Sequence, residues 1–404
     1  MSDIDTNSIM KAAQARLDQT VGLLSRFAAI ESPTDDPAAV AGMQEAFGAE
    51  LLARGFRIRM VGRQSRFAGP HLLAVPAGRR SGRPTQLVLG HADTVWSHGT
   101  LESMPVRVVE GRLHGPGTFD MKAGITSFLM AIDVIAELGL DLPADPILFI
   151  NADEETGSAT SKQHVARVSR CASRAWVLEP PYGSEGKLKT ARKGMVKIHI
   201  VAHGRAAHAG LDPTAGASAI AEIARIVPLL HAMQDLDRGV SVNVGLISGG
   251  TRPNVVAARA ELTADARVLS MADAAGLIAQ VEALEPAIEG VRFEIDAHVA
   301  VPPFEATPRN RRLWATAKVA ARRVGLEVDE VTVGGASDGN TASRYTATLD
   351  GLGFVGDGAH AAHEHVVIDR MPERIALLVA LLTAPLDDLG GPVNEVHPNT
   401  TGAP

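Results

Sequence analysis

The chain has 404 residues, 46% apolar and 21% charged, a balance that excludes wholesale disorder and suits two or three globular domains. Its formal net charge of −7 gives none of the basic surplus a nucleic-acid binder carries. The single cysteine, Cys171, excludes an intrachain disulfide framework, and the longest apolar run, Ile375–Leu382, falls far short of the ~20 residues that span a bilayer. The acidic start, Met1 to Thr6, lacks the cationic and then apolar layout of a secretory signal. The expectation is a soluble, cytoplasmic protein with neither nucleic acid nor membrane as partner.

In chain order, Leu17, Val21, Leu24 and Phe27 recur at helical spacing, Pro33 breaks the pattern, and a second helix follows from Ala38 to Arg54. Short apolar strands are expected at His71–Val75, Gln86–Leu89 and Pro146–Ile150, with a helix at Lys122–Leu138 between the last two. From about Lys193 the rhythm changes. A strand at Met195–Val201, a helix at Pro213–Met233, two strands at Val240–Ile247 and Val255–Val268, a helix at Asp273–Leu284 and a strand at Val291–Val299 give the β-α-β-β-α-β order of a ferredoxin-like unit. A helix at Asn310–Val324, a strand at Val328–Val333 and a closing helix at Pro372–Leu382 complete the chain, and the Gly- and Pro-rich tail after Asp388 reads as loose. The fold class is therefore α/β: helices packed around a mixed, mainly parallel sheet formed by residues 1–192 and 305–404, interrupted by a ferredoxin-like insert over 193–304.

Five segments carry the chemistry. The apolar strand Leu87–Leu89 runs into Gly90-His91-Ala-Asp93, and ligands gather outside such strand ends in α/β sheets. A metal-bound histidine commonly donates its second ring nitrogen to a carboxylate, which Asp93 can supply. In Gly115-Pro-Gly-Thr-Phe-Asp120, the aspartate lies just before a helix, where the ordinary reading is an N-cap. Asp153-Glu154-Glu155 ends another apolar strand; adjacent carboxylates repel unless a cation or a proton intervenes, so one can be a ligand and its neighbour a base. Glu179, in the fourth segment, ends another short apolar run, and His360, His363 and His365 crowd one C-terminal loop. His91, Asp120, Glu155, Glu179 and one of those three histidines form an all-nitrogen-and-oxygen donor set suited to Zn²⁺, Mn²⁺ or Co²⁺. Five ligands exceed one tetrahedral ion and suit two ions sharing a carboxylate.

In order and wording these segments resemble the co-catalytic metallo-exopeptidases and amidohydrolases that include glutamate carboxypeptidases, aminoacylases, acetylornithine deacetylase and succinyl-diaminopimelate desuccinylase. The resemblance runs from about Leu17 to Leu386. It implies one or two divalent ions per subunit, zinc first, held by His91, Asp120 as the bridge, Glu155, Glu179 and, from the His-x-x-x-Glu spacing to Glu364, His360. It makes Glu154 the catalytic base and Asp93 the residue that orients His91. It also implies that the insert is a lid and dimerisation domain whose His208, in Gly204-Arg-Ala-Ala-His208, reaches an active site, usually the partner subunit's. Asn254 and Arg267 would contact the substrate, Arg267 through a carboxylate. The glycine-rich stretch from Gly334 to Asp338 would line the pocket. One departure stands out. Where folate-cleaving glutamate carboxypeptidases carry an arginine before the proline ending the last insert strand, this chain has Val301-Pro302, so glutamate specificity does not follow.

The expected activity is hydrolysis of an amide or related C–N bond in a small carboxylate-bearing substrate, such as an N-acyl amino acid or short peptide, by a homodimer or higher homo-oligomer. The same machinery could instead release ammonia from an activated aromatic or amidine carbon. A non-catalytic metal-binding scaffold is the third reading, and it has no use for a base beside a metal.

Overall fold

The computed structural model describes residues 6–62 and 69–386, so the tail expected to be loose lies outside the described residues. The described chain divides into two compact units, one of residues up to Thr190, Ala306–Val331 and Ser337 onward, the other of Ala191–Glu305 with Thr332–Ala336. The short return segment 332–336 joins the second unit through the backbone: Lys193 N–H donates to the Val333 carbonyl, and the Arg192 guanidinium donates to the carbonyls of Gly335 and Ala336.

The first unit is built on a six-stranded sheet in the order Phe56–Val61, His71–Pro76, Asp145–Asn151, Thr85–His91, Arg174–Val177, Ala347–Leu349. The last four run parallel and the first two antiparallel. Every residue of Thr85–His91 is buried, as a central parallel strand covered on both faces requires. Helices Lys122–Glu137 and Met371–Thr383 pack together and are apolar almost all round, so their burial follows from composition rather than from an amphipathic stripe. Three helices, not two, open the chain: Thr6–Gln14, Leu17–Ala28 and Pro37–Ala53. The first is only 9 residues long, too short to be stable alone, and it packs on the closing helix. Asp36 caps the third, accepting from the N–H groups of Ala38 and Ala39 ahead of Pro37 at the start of the helix.

A second, four-stranded sheet in this unit has the order Gly356–Asp357, His365–Val367, Arg112–His114, Arg107–Val109. These strands have at most 3 residues, below what periodicity can register, and none was expected.

The other unit has a four-stranded antiparallel sheet ordered Ser241–Gly249, Arg259–Val268, Gly194–His203, Arg292–Val301. Helices Ala219–Ala232 and Met271–Glu282 supply the two crossovers, giving the expected ferredoxin-like order. Burial alternates strictly along Arg259–Val268, with Ala260, Leu262, Ala264, Ala266 and Val268 facing the core. The expected helix from Pro213 begins later. Gly216 is extended after a single 3-10 turn, and Ser218 caps the helix proper by accepting from Ala221 N–H. The strand expected from Val255 starts only at Arg259, because Val255 bridges to His208 instead. No helix among the described residues is long and apolar enough to cross a membrane.

Candidate metal centre

Three parallel strand ends come level in the main sheet. His91 lies opposite Asn151, and Leu89 lies opposite Val177. The chain leaves these ends as Ala92-Asp93, Ala152-Asp153-Glu154-Glu155 and Leu178-Glu179. Ala92 N–H donates to the Asn151 carbonyl and Leu178 N–H to the Leu89 carbonyl, both at 2.9 Å, so the exits are tied side by side. Gly124 lets the Lys122–Glu137 helix lie against the third exit: a β-carbon there would collide with the Leu178 carbonyl.

The small sheet delivers the remaining two residues. His114 pairs with His365, so the loop carrying Asp120 leaves the sheet beside the loop carrying His360. Glu364 joins the two loops. One carboxylate oxygen accepts the N–H groups of Phe119 (2.8 Å) and Asp120 (2.9 Å); the other accepts Gly117 N–H (2.9 Å) and the Trp96 indole (2.7 Å). Burial raises the Glu364 carboxyl above its ordinary pKa, against the pull of these donors. The sequence reading used Glu364 only to mark a spacing; its place at the centre of the loop network was missed. Asp120 does not cap its helix. Met121 occupies the N-cap without a side-chain bond, and the Asp120 carboxylate turns to two histidines instead.

Its Oδ1 lies 3.2 Å from His91 Nε2, and its Oδ2 lies 3.5 Å from His360 Nε2. Glu179 Oε1 stands 3.6 Å from His91 Nε2, and Glu155 Oε2 stands 3.1 Å from His360 Nε2. Two groups result, His91–Asp120–Glu179 and Asp120–Glu155–His360, each with its donor atoms within 4.8 Å of one another and Asp120 common to both. His363 and His365 belong to neither group: His363 faces Asp357 at 3.7 Å, and His365 Nδ1 sits 2.8 Å from the His363 carbonyl.

Asp93 is fully buried and does more than expected. Its carboxylate accepts the N–H groups of Glu154 (3.2 Å) and Glu155 (3.1 Å) and the Thr34 hydroxyl (2.9 Å). The shortest contact of His91 Nδ1 is the Asp93 backbone carbonyl at 2.9 Å, with the carboxylate at 3.6 Å. Burial lifts the Asp93 carboxyl to about 6.

The field at the centre is strongly negative. Burial and the Glu179 charge raise Glu154 well above the usual carboxyl range. Burial opposes a charge on His91, but the bond to Asp120 and the charge of Asp93 outweigh it and raise its pKa. Bonds to Asp120 and Glu155 raise His360 to about 10. Burial disfavours the Asp120 carboxylate, yet the two histidines hold it below its ordinary value. A field that raises the proton affinity of two imidazoles also attracts metal cations. Glu155 also keeps a buried oxygen, Oε1, with no hydrogen-bond partner. With only nitrogen and oxygen donors and one shared carboxylate, the set fits divalent Zn²⁺, Mn²⁺ or Co²⁺.

The remaining candidates lie on the second unit. His208 is exposed, and its Nδ1 accepts the N–H groups of Gly210 and Leu211, both at 3.1 Å. Asn254, also exposed, is its neighbour: the Asn254 carbonyl accepts Ala209 N–H at 3.0 Å. Arg267 stands near the far end of Arg259–Val268 and is paired with Asp265, Nε to carboxylate 2.6 Å.

Carboxylates and imidazoles from three parallel-strand ends and two loops of the small sheet converge as a site suited to metal-dependent hydrolysis. The family model "Peptidase family M20/M25/M40" matches residues 87–384, and the chain belongs to that family. It is 27% identical over 385 residues to carboxypeptidase G2 of Pseudomonas sp. (strain RS-16), covering 93% of this chain and 91% of that protein. It is 28% identical over 333 residues to a succinyl-diaminopimelate desuccinylase of Azoarcus sp. (strain BH72), covering 76% and 86%. An aminopeptidase structure from Bacillus cereus shares the fold, with a TM-score of 0.75 at 21% identity over 91% of this chain and 98% of that one.

Proposed function

We propose that this hydrolase cleaves the amide C–N bond of a small carboxylate-bearing substrate, an N-acyl amino acid or short peptide, with Glu154 as general base. The observation that carries the reading is Asp120 shared between two three-residue donor groups, with the high-pKa carboxyl of Glu154 under the influence of Glu179 and His91. Relatives named as a carboxypeptidase and a desuccinylase support the same bond type.

His91, Asp120 and Glu179 would hold one ion and Asp120, Glu155 and His360 a second. Zinc is the first choice for this donor set, with manganese or cobalt as alternatives. A divalent cation bound there supplies Lewis acidity toward the scissile carbonyl and toward water. Glu154 would take a proton from the attacking water and return it to the leaving nitrogen, and burial with the Glu179 charge raises its proton affinity. Asp93 keeps Glu154 and Glu155 in place by holding both backbone N–H groups.

We assign substrate contacts to His208, Asn254 and Arg267. In neutral His208, Nδ1 is an acceptor, so Nε2 carries the proton and can donate to a developing oxyanion. Arg267 would exchange Asp265 for a substrate carboxylate. We also propose a homodimer. Ser241–Gly249 is an edge strand with Leu246 and Ile247 exposed at 70% and 59%, and such an edge is a template for pairing with another chain. Mixing Glu154→Gln with His208→Ala under subunit exchange tests both ideas. Partial recovery of activity supports His208 serving the partner's site, and none despite exchange rejects it.

The main test is Glu154→Gln with product analysis on N-acyl amino acids and dipeptides. Turnover should fall by ~10²–10⁴-fold or more while metal content stays unchanged. Chelation should abolish wild-type activity, and Zn²⁺, Co²⁺ or Mn²⁺ should restore it. Full activity in a verified metal-free preparation, or ammonia as the product, would sink the reading.

A further inference from the structure

We propose that His71, which lies outside the donor set, is a positioning residue that holds the Glu155 loop through a directed hydrogen-bond chain by way of Thr160 and Asp153. This rests on the reading of Glu155 as a metal ligand.

His71 opens the strand His71–Pro76 and is 1% exposed. That strand pairs antiparallel with Asp145–Asn151, Leu72 opposite Ile150, which sets His71 beside the point where the Glu154–Glu155 loop departs. Its Nδ1 accepts Ala152 N–H at 3.2 Å. A ring nitrogen that accepts carries no proton, so neutral His71 bears its proton on Nε2, which lies 3.2 Å from Thr160 Oγ1. Thr160 thus receives from His71 and passes its own hydroxyl hydrogen to Asp153 Oδ2, at 2.7 Å. The Thr160 N–H donates to the same oxygen at 2.6 Å. Every donor in the chain points one way, from imidazole to carboxylate.

Protonating His71 would set an N–H against the Ala152 N–H, and burial, the largest influence on this ring, also lowers its pKa. The neutral tautomer is therefore the one the geometry uses.

The chain anchors a loop already closed on itself. The Asp153 carbonyl accepts Ser158 N–H at 2.8 Å, and Asn151 Oδ1 accepts Asp153 N–H at 2.9 Å. From another direction Asp338 receives the Asn151 amide and the Ser158 hydroxyl, each at 2.8 Å. Glu154 and Glu155 lie between these anchors, on a single 3-10 turn, Glu154–Thr156. Polar groups behind a ligand commonly set its orientation, and losing one costs about 10–100-fold in metal affinity.

The test titrates metal-free, full-length protein with Zn²⁺ by calorimetry. Glu155→Gln identifies the ion that depends on Glu155. Thr160→Val keeps the side-chain shape and backbone N–H but removes the relay, and His71→Ala removes its source. Both should weaken that ion about 10–100-fold and leave the other unchanged. His71→Gln should recover most of the loss, because its amide can still donate to Thr160. If His71→Ala does not fold, Thr160→Val alone decides. Wild-type affinity in Thr160→Val, with Glu155→Gln weakened, overturns the positioning role alone. Equal loss at both ions, or no recovery in His71→Gln, also overturns it. Unchanged affinity in Glu155→Gln overturns the ligand assignment, and the positioning role with it.

Discussion

His91 and His360 present the same ring nitrogen to the same aspartate from opposite kinds of structure. His91 ends a fully buried parallel strand, its side chain 1% exposed and its Nδ1 held on the Asp93 carbonyl. His360 sits on a loop with its backbone in the left-handed region, φ 61°, and its side chain 53% exposed. A non-glycine residue in that region is uncommon and marks a site where surrounding structure holds the chain. One half of the centre is thus part of the sheet core, and the other is a loop whose order comes from Glu364. The buried half should be rigid before any ligand arrives, and the exposed half should be the more replaceable.

The strongest way to break this contrast is to remove what the halves share. Asp120→Ala should eliminate both donor groups, taking hydrolysis to background and metal content, measured by mass spectrometry, toward zero. A variant that keeps one firmly bound ion would mean that Asp120 serves a single group.

Next come the histidines themselves. His91→Ala and His360→Ala should each cripple turnover, but only His360→Ala should be rescued by added imidazole, because its site opens to solvent. Equal rescue of both would erase the distinction. His363→Ala, outside both groups, should keep metal and activity near wild type.

Glu364→Gln probes the loop half without replacing any proposed ligand. The amide would turn an N–H₂ toward backbone N–H donors, so metal affinity should fall about 10–100-fold with the fold intact. An unchanged affinity would remove Glu364 from the account.

The smallest expected effect sharpens the sheet half. Gly124→Ala forces a β-carbon against the Leu178 carbonyl, one residue before Glu179. Overpacking of this kind costs about 1–3 kcal/mol, which thermal unfolding can measure, together with a modest loss of metal affinity. Wild-type values for both would show that the helix can retreat without moving Glu179.

Much of the architecture was legible because it rests on periodicity. The alternating burial along Arg259–Val268 and the continuous apolar run Leu87–Leu89 are direct consequences of one-sided and two-sided burial, and both strands were expected. The short opening helix Thr6–Gln14 and the strands of the small sheet were not, because elements of 9 residues and of 3 or fewer exist through their tertiary contacts, not through local pattern. At the centre, His91, Asp120, Glu155, Glu179 and a histidine from the C-terminal loop could be picked out by residue type at strand and loop ends. That they converge is a matter of register and pairing.

Residue chemistry by itself determined the all-nitrogen-and-oxygen donor set, because the lone Cys171 cannot build a thiolate site. Local spacing likewise determined that carboxylates follow apolar strands. His360, His363 and His365 are chemically equal, and only the resemblance, through the spacing to Glu364, had singled out His360; the tertiary structure brings that one to Asp120 by where the loop points it. It also decided that Asp120 turns to two histidines rather than capping its helix, and that Glu364 and His71 stand behind the loops. Those roles come from hydrogen bonds between residues up to 268 positions apart, a separation no local pattern encodes.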